Sequence, residues 1–428
     1  MTDEEKLMVY AWGKCSSGVE KLSQQSFTVL RKGSVCEDDD SLFLNALIKI
    51  GNTEIEGAVK IIADDKRWKM WHSLYKSSVV LVVSQCVTSE YLSFEYKPIR
   101  TFVPQIKREF INRYNELLYN KNACGNILKN LNSFDTEHIT SLLVVERMND
   151  KCENIASIHK DTNECWSDTA LAVFFDTMMI SDKKGRANFR QLVRTIGYNS
   201  ILKNLILGNC DEDIENVEAL FLGAAGFLST RQQNCDKYTY TLREKFEVLR
   251  KRYNIVPMAA SSWPSKAISV PLQLAQMAAI IVRTPTFHYE LIATDDLDKI
   301  TSILKSKVSE YWFTHKSLGV ENGTKSNTQF SKFKVDNMVI NFVVPYLFFY
   351  NLVSVMDYDE TKCERLLDLL HDTDDEKNGL VDPWRIYFDM KTAFRTQAVT
   401  QISKKYCTPT NCYKCLLGRK FLDKYDVF

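Results

Sequence analysis

Chain-breaking residues are scarce: 15 glycines and 9 prolines in 428 residues, each about half or less of the usual shares of roughly 7% and 5%. Few turns per residue predict long helices. An excess of either charge is also missing. Lys and Arg number 55 against 54 Asp and Glu, so no global field draws the chain toward nucleic acid or an anionic membrane, and such a contact has to come from a local patch. The N-terminal run MTDEEKLMVYAW has neither a basic leader nor an apolar stretch, which excludes a secretory signal there and predicts a cytoplasmic protein with reduced thiols. There is no Gly-rich phosphate loop, nucleophile elbow or His-Glu-x-x-His helix, and the six histidines do not pair at ligand spacing, so hydrolase and nucleotide-triphosphatase readings lack support. One uncharged stretch, Asn337 to Met356, is about as long as a bilayer requires, ~20 residues. Its Asn341, Pro345 and Asn351, and flanking charges that suggest no orientation, predict a buried core helix and no membrane association.

The first hundred residues contain short β-branched runs punctuated by Gly, Asn and Asp: SFTVLRKG, SLFLNALIKI, TEIEGAVKII and SSVVLVVSQ. These are strand signatures. A helix from about Glu4 to Lys14 precedes them, and Ile106, Phe110, Ile111, Tyr114, Leu117 and Leu118 recur at helical spacing after them. The expectation is an α+β protein: an α/β domain over residues 1–120, then an all-α domain over 121–428 built on runs such as NVEALFLGAAGFL and PLQLAQMAAIIV. No repeat of solenoid length is present.

Several stretches together carry a resemblance: FLNALIKIG (Phe43 to Gly51), LLVVERM (Leu142 to Met148), VEALFLGAAGFL (Val217 to Leu228), QLAQMAA (Gln273 to Ala279), YWFTH (Tyr311 to His315), DNMVINFVVPYLFFY (Asp336 to Tyr350) and YCTPTNCYKCLLGRKFL (Tyr406 to Leu422). With them the chain resembles the bacterial family known as domain of unknown function 2851, over nearly its whole length. The resemblance implies an N-terminal core similar to restriction-endonuclease-like nucleases of the PD-(D/E)XK type. Members tend to carry Gly-Pro-Asp-Phe ahead of the first strand and Val-Glu-Ile-His on the second. In such a core the Asp and Glu hold a divalent metal, and a Lys or His two residues beyond the Glu, on the same strand face, activates water. This chain departs at each of these positions, with Leu42 at the Asp, Lys60 at the Glu and Ile62 at the His. A further pattern, Arg-Pro-x-Asn-x-Pro, is present only as KAISVP, Lys266 to Pro271.

The expectation is therefore a diverged, non-catalytic, nuclease-like protein that binds nucleic acid or a protein partner. Two alternatives stay open: an active divalent-metal nuclease with relocated carboxylates (Glu54, Glu56, Asp64 or Asp65), and a structural scaffold. The turn holding Lys66, Arg67, Trp68, Lys69 and Trp71 mixes cations with stacking surfaces, a combination suited to nucleic acid and equally to a half-buried amphipathic turn. The helix Leu242 to Tyr253 offers Arg243, Lys245, Arg250, Lys251 and Arg252, interrupted by Glu244 and Glu247. At the C-terminus, Cys407, Cys412 and Cys415 have the spacing of zinc or iron–sulfur ligands, with Cys36 or Cys15 as candidate fourth ligands, against the plainer reading of three packed thiols.

Overall fold

A computed structural model describes residues 1–15, 19–21, 26–63, 79–83, 93–94, 97–98, 100–102, 106–179, 182–207, 214–229, 235–264, 270–305, 307–354 and 359–428. The architecture is α+β, with a small N-terminal sheet followed by a large helical part. By contacts the chain divides into two units: residues 1–139 with 379–389 and 399–428, and residues 140–378 with 390–398. The division falls at 139/140, and the C-terminal cysteine segment groups with the sheet.

In the first unit, α1 (Asp3–Lys14) opens with a capping box in which Thr2 and Glu5 satisfy each other's backbone N–H groups. The sheet comprises β1 (Val19–Lys21), β2 (Ser26–Arg31), β3 (Ser34–Cys36), β4 (Asp39–Ile50), β5 (Thr53–Ile61), β6 (Val79–Val83) and β7 (Arg100–Phe102). Their order is β1-β2-β4-β5-β6-β7, with β3 on β4. The pairs up to β4–β5 are antiparallel, while β5–β6 and β6–β7 are parallel. Gly51-Asn52 joins β4 to β5, pairing Ile50 with Thr53; Gly51 at φ +58° supplies the positive φ that a two-residue hairpin requires. Asn45, at φ +57°, marks a bulge in β4. Trp12, Phe27, Leu42, Ile48, Val59 and Ile61 are buried, as are Phe110 and Tyr114 of α2 (Arg108–Tyr119). Next comes α3 (Lys121–Lys129), and then α4 (Ser133–Asp161), within which the chain enters the second unit.

The second unit holds α5 (Trp166–Asp176), α6 (Lys183–Ile196), α7 (Lys203–Leu207), α8 (Ile214–Ala224), α9 (Lys237–Tyr253), α10 (Val270–Arg283), α11 (Phe287–Ile292), α12 (Leu297–Leu304), α13 (Lys332–Met338), α14 (Val344–Val353) and α15 (Glu360–Asp372). Then α16 (Ala393–Gln401) leads back to the first unit, which α17 (Leu416–Leu422) closes. Phe174, Phe175, Phe189, Phe221, Phe287 and Phe342 are fully buried and pack ring against ring, as the apolar faces of the helical runs require. The uncharged stretch is split into α13, a wider turn at Val339–Val343, and α14. Among the described residues no helix is long and apolar enough to cross a membrane.

At Gly223 of α8, a Cβ would stand 2.1 Å from the ring of Phe246 in α9. Gly223→Ala is expected to destabilise the protein by about 1–3 kcal/mol through overpacking. Urea unfolding of the variant beside the parent checks this.

Candidate functional site

At the two positions where the resemblance implies metal-binding carboxylates, Leu42 of β4 lies opposite Lys60 of β5. Leu42, Lys60 and Ile62 are 1%, 6% and 2% exposed. The Lys60 ammonium donates to the Asp39 carboxylate and to the Ser41 hydroxyl, the latter at 2.5 Å. Ser41 in turn donates its hydroxyl (2.7 Å) and its backbone N–H (3.0 Å) to Asp39. Burial alone would raise the Asp39 carboxyl, but the bonds from Lys60 and Ser41 outweigh it and hold the group below the usual carboxylate range. Lys60 is thus bound within the sheet and does not reach out to meet a phosphate. These residues do not fit a divalent cation: one ligand position is a hydrocarbon, the second is a cation, and the nearby carboxylate is already engaged.

Of the relocated candidates, Glu54 and Glu56 do not gather there. Glu54 and Glu56 are exposed near the hairpin end, and Glu56 pairs with Arg31 of β2. Strict alternation places them on the face of Lys60, but Glu56 is four residues away, about 13 Å along the strand. The same face is open at one end and covered at the other. Asp64, Asp65, Lys66, Arg67, Trp68, Lys69 and Trp71 lie outside the described residues, as does most of Lys266 to Pro271. In α9, Arg243 donates to the Leu228 carbonyl, Lys245 pairs with Glu215 at 2.8 Å and Arg250 with Glu247 at 3.2 Å, so much of this basic stretch is satisfied within its own unit.

The C-terminal loop is fastened to the sheet unit. Lys6 of α1 donates to the Pro409 carbonyl and the Thr410 hydroxyl, each at 2.6 Å, and Lys414 pairs with Asp40 at 2.5 Å. Cys412 and Cys415 are buried, whereas Cys407 is exposed. Burial, and secondarily Cys415, pushes the Cys412 thiol up to about 12. Cys124 of α3 senses all three of these: burial first, and then Cys415, Cys407 and Cys412, raise its thiol. Among the described residues no three His, Cys, Asp or Glu side chains form a group able to hold a metal ion. In this arrangement Cys412 and Cys415 turn into the packing while Cys407 faces solvent.

Two polar networks in the helical unit were not anticipated from the sequence. In the first, Glu218 of α8 is fully buried and accepts hydrogen bonds from Tyr238 Oη (2.6 Å), Ser309 Oγ (3.1 Å) and Trp312 Nε1 (3.0 Å). Tyr238 stacks on Tyr311, which donates to Asp236 at 2.7 Å and stacks on His315. Burial raises Glu218 to about 7, although its three donors act to lower it. In the second, Arg147 of α4 donates to Gln397, and Gln397 and Asn341 both donate to Glu376. Lys151 donates to Asn341 Oδ1 at 3.2 Å and to the Ile340 carbonyl at 2.8 Å. The available signal was a lone acid in an apolar helical run, as in VEALF, since an unpaired carboxylate is rarely buried.

These networks link stretches that carry the family resemblance: VEALFLGAAGFL directly with YWFTH, and LLVVERM with DNMVINFVVPYLFFY by way of Gln397 and Glu376. The family model described as a protein of unknown function (DUF2851) matches residues 5–379. The chain belongs to this family. No curated protein and no solved structure matches it. Family membership therefore fixes kinship without assigning chemistry.

Two outcomes follow for stability. Asp39→Asn leaves the Lys60 ammonium without its counter-charge; breaking a fully buried pair costs roughly 3–5 kcal/mol, and the partial exposure of Asp39 reduces the expected loss to about 2 kcal/mol, read from denaturant unfolding. Glu218 keeps its proton to about pH 7 when folded, whereas an unfolded Glu releases it near 4.3. The folded state binds more protons between those values, so this group's contribution to stability falls as pH rises from about 4.3 to 7 and is level outside that window. Glu218→Gln is expected to flatten that segment of the stability–pH profile, measured as unfolding midpoints from pH 4 to 9.

Proposed function

We propose that this protein is a non-catalytic, nuclease-like member of its family that acts by binding a macromolecular partner, nucleic acid or protein, through its N-terminal unit. The observation that carries this reading is the buried Lys60 ammonium, bonded to Asp39 and Ser41 across from Leu42. A divalent ion at a nuclease centre needs carboxylates that offset its charge. Two unit charges ~4 Å apart interact by roughly 4 kcal/mol at an effective dielectric near 20. With Lys60 in place of a Glu, that interaction with the ion changes sign, and Leu42 supplies no ligand at all. The mixed order of the sheet, an antiparallel set continued by two parallel strands, agrees with a restriction-endonuclease-like ancestry retained as a scaffold. The exposed Glu54 and the ion-paired Glu56 lend no support to a relocated metal site.

The purified full chain, incubated with plasmid DNA or with RNA in Mg²⁺ or Mn²⁺, is expected to give no cleavage above a metal-free control. Metal-dependent cleavage lost in a Glu56→Ala, Asp64→Ala variant would overturn the reading and place the site in relocated carboxylates. Fluorescence polarisation with labelled oligonucleotides then identifies the partner class. Binding that weakens steeply with salt marks nucleic acid. Its absence leaves the protein partner.

A further inference from the structure

A concavity of the helical unit, about 460 Å³, is lined by Ile214, Ala279, Val282, Arg283, Lys307 and Gln329. The volume is of the size that small-molecule sites occupy, roughly 300–1,000 Å³. Its walls come from elements whose positions are set independently of any ligand. Ile214 opens α8, while Ala279 and Val282 lie on one face of α10 a turn apart. One turn earlier on α10, Gln276 donates to the Thr328 carbonyl at 2.7 Å, which anchors the segment carrying Gln329. Three of the six residues are apolar and two are cationic; the set contains no carboxylate.

The two cations are not spent on ion pairs among the described residues. Arg283 sends Nη1 to the carbonyls of Lys305 (2.7 Å) and Ser302 (3.4 Å) at the end of α12, which fixes the guanidinium while leaving its Nε–Nη2 edge uncommitted. Lys307, just past that helix, is exposed. A guanidinium edge offers two parallel N–H donors matched to an oxyanion, and an ammonium alongside adds an unoriented charge. Two such cations over an apolar floor favour a ligand with one anionic head and one hydrocarbon body. A neutral ligand leaves the cations unused, and a multiply charged polar one leaves the apolar walls uncovered.

We propose that this concavity is a binding site for a small organic anion, an oxyanion head joined to a short apolar chain. Hexanoate and hexyl phosphate serve as probes, with hexanamide as the uncharged control, in isothermal titration calorimetry on the full chain. Saturable binding of at least one anion is expected, with hexanamide at least about tenfold weaker. The tighter of the two anions identifies the head group, carboxylate or phosphate. Arg283→Gln and Lys307→Gln are each expected to weaken it by about tenfold or more. Both side chains are exposed, so these variants leave the apolar packing intact, and Ala279→Leu, which fills the floor, is expected to weaken binding as well. The proposal is overturned by no saturable binding of either anion up to millimolar concentration, by hexanamide binding as tightly as hexanoate, or by affinities indifferent to Arg283→Gln and Lys307→Gln.

Discussion

A charge withdrawn from water has to be met by a partner, and that constraint organises the polar interior of this protein. Lys60 illustrates it in the sheet. Lys60 stands opposite Leu42 of β4, and its buried ammonium is held by one carboxylate and one hydroxyl from that strand. The pairing also constrains the start of β4, because Asp39 must be placed to receive bonds from both Lys60 and Ser41. Desolvation is costly for both ions, and their mutual attraction offsets it only when the remaining hydrogen-bonding capacity is used. The Ser41 hydroxyl and N–H supply that use. The β4–β5 pair is thereby closed by an internal cation.

Glu218 is the complementary case. Among the described residues no cation answers it; three neutral donors from separate segments converge on it instead, and its proton affinity rises to suit the dry surroundings. Hydrogen bonds are directional, so the cluster specifies how α8, the start of α9 and the Ser309–Trp312 turn meet, which apolar packing by itself leaves more permissive. The Arg147–Gln397–Glu376–Asn341 chain does the same for α4, α16 and the turn ahead of α14. Motifs that look unrelated in the linear sequence are thus joined, one pair directly at Glu218 and the other through Gln397 and Glu376.

How much of this was legible in the sequence depends on the range of the interaction involved. The β4–β5 hairpin could be read directly, because alternation and the Gly51-Asn52 turn are local, and so could the helical remainder. The family resemblance was likewise legible, and the family model covers most of the chain. The burial of Lys60 was not. Period-two alternation groups it with Glu54 and Glu56, and the difference between them lies in what covers each end of the strand. The end beyond Lys60 meets α1, where buried Glu5 accepts the N–H of Ala63, a contact between residues 58 apart. The burial of Cys412 and Cys415 and the exposure of Cys407 were not legible for a related reason: spacing describes the reach of three thiols, while their direction follows from a loop fastened through Lys6 and Lys414. Glu218 and its donors are spread over 94 residues, beyond any local pattern.

The uncharged stretch shows how a tertiary partner can rescue a local rule that is broken. Pro345 has no N–H to give and would orphan a carbonyl inside an apolar helix. Ahead of it the helix widens to the i to i+5 register, in which Val344 N–H donates to the Val339 carbonyl. In that register the carbonyl due to pair with position 345 is that of Ile340, and it receives the Lys151 ammonium at 2.8 Å instead. Asn341 is tied to Asn337 and Glu376, and Asn351 reaches the Asp359 carbonyl at 2.9 Å and the Cys363 thiol. Each feature that argued against a membrane span has a specific partner within the helical unit. The widened turn is therefore the geometric consequence of placing a proline in a buried helix with a lysine from α4 available to complete its hydrogen bonding.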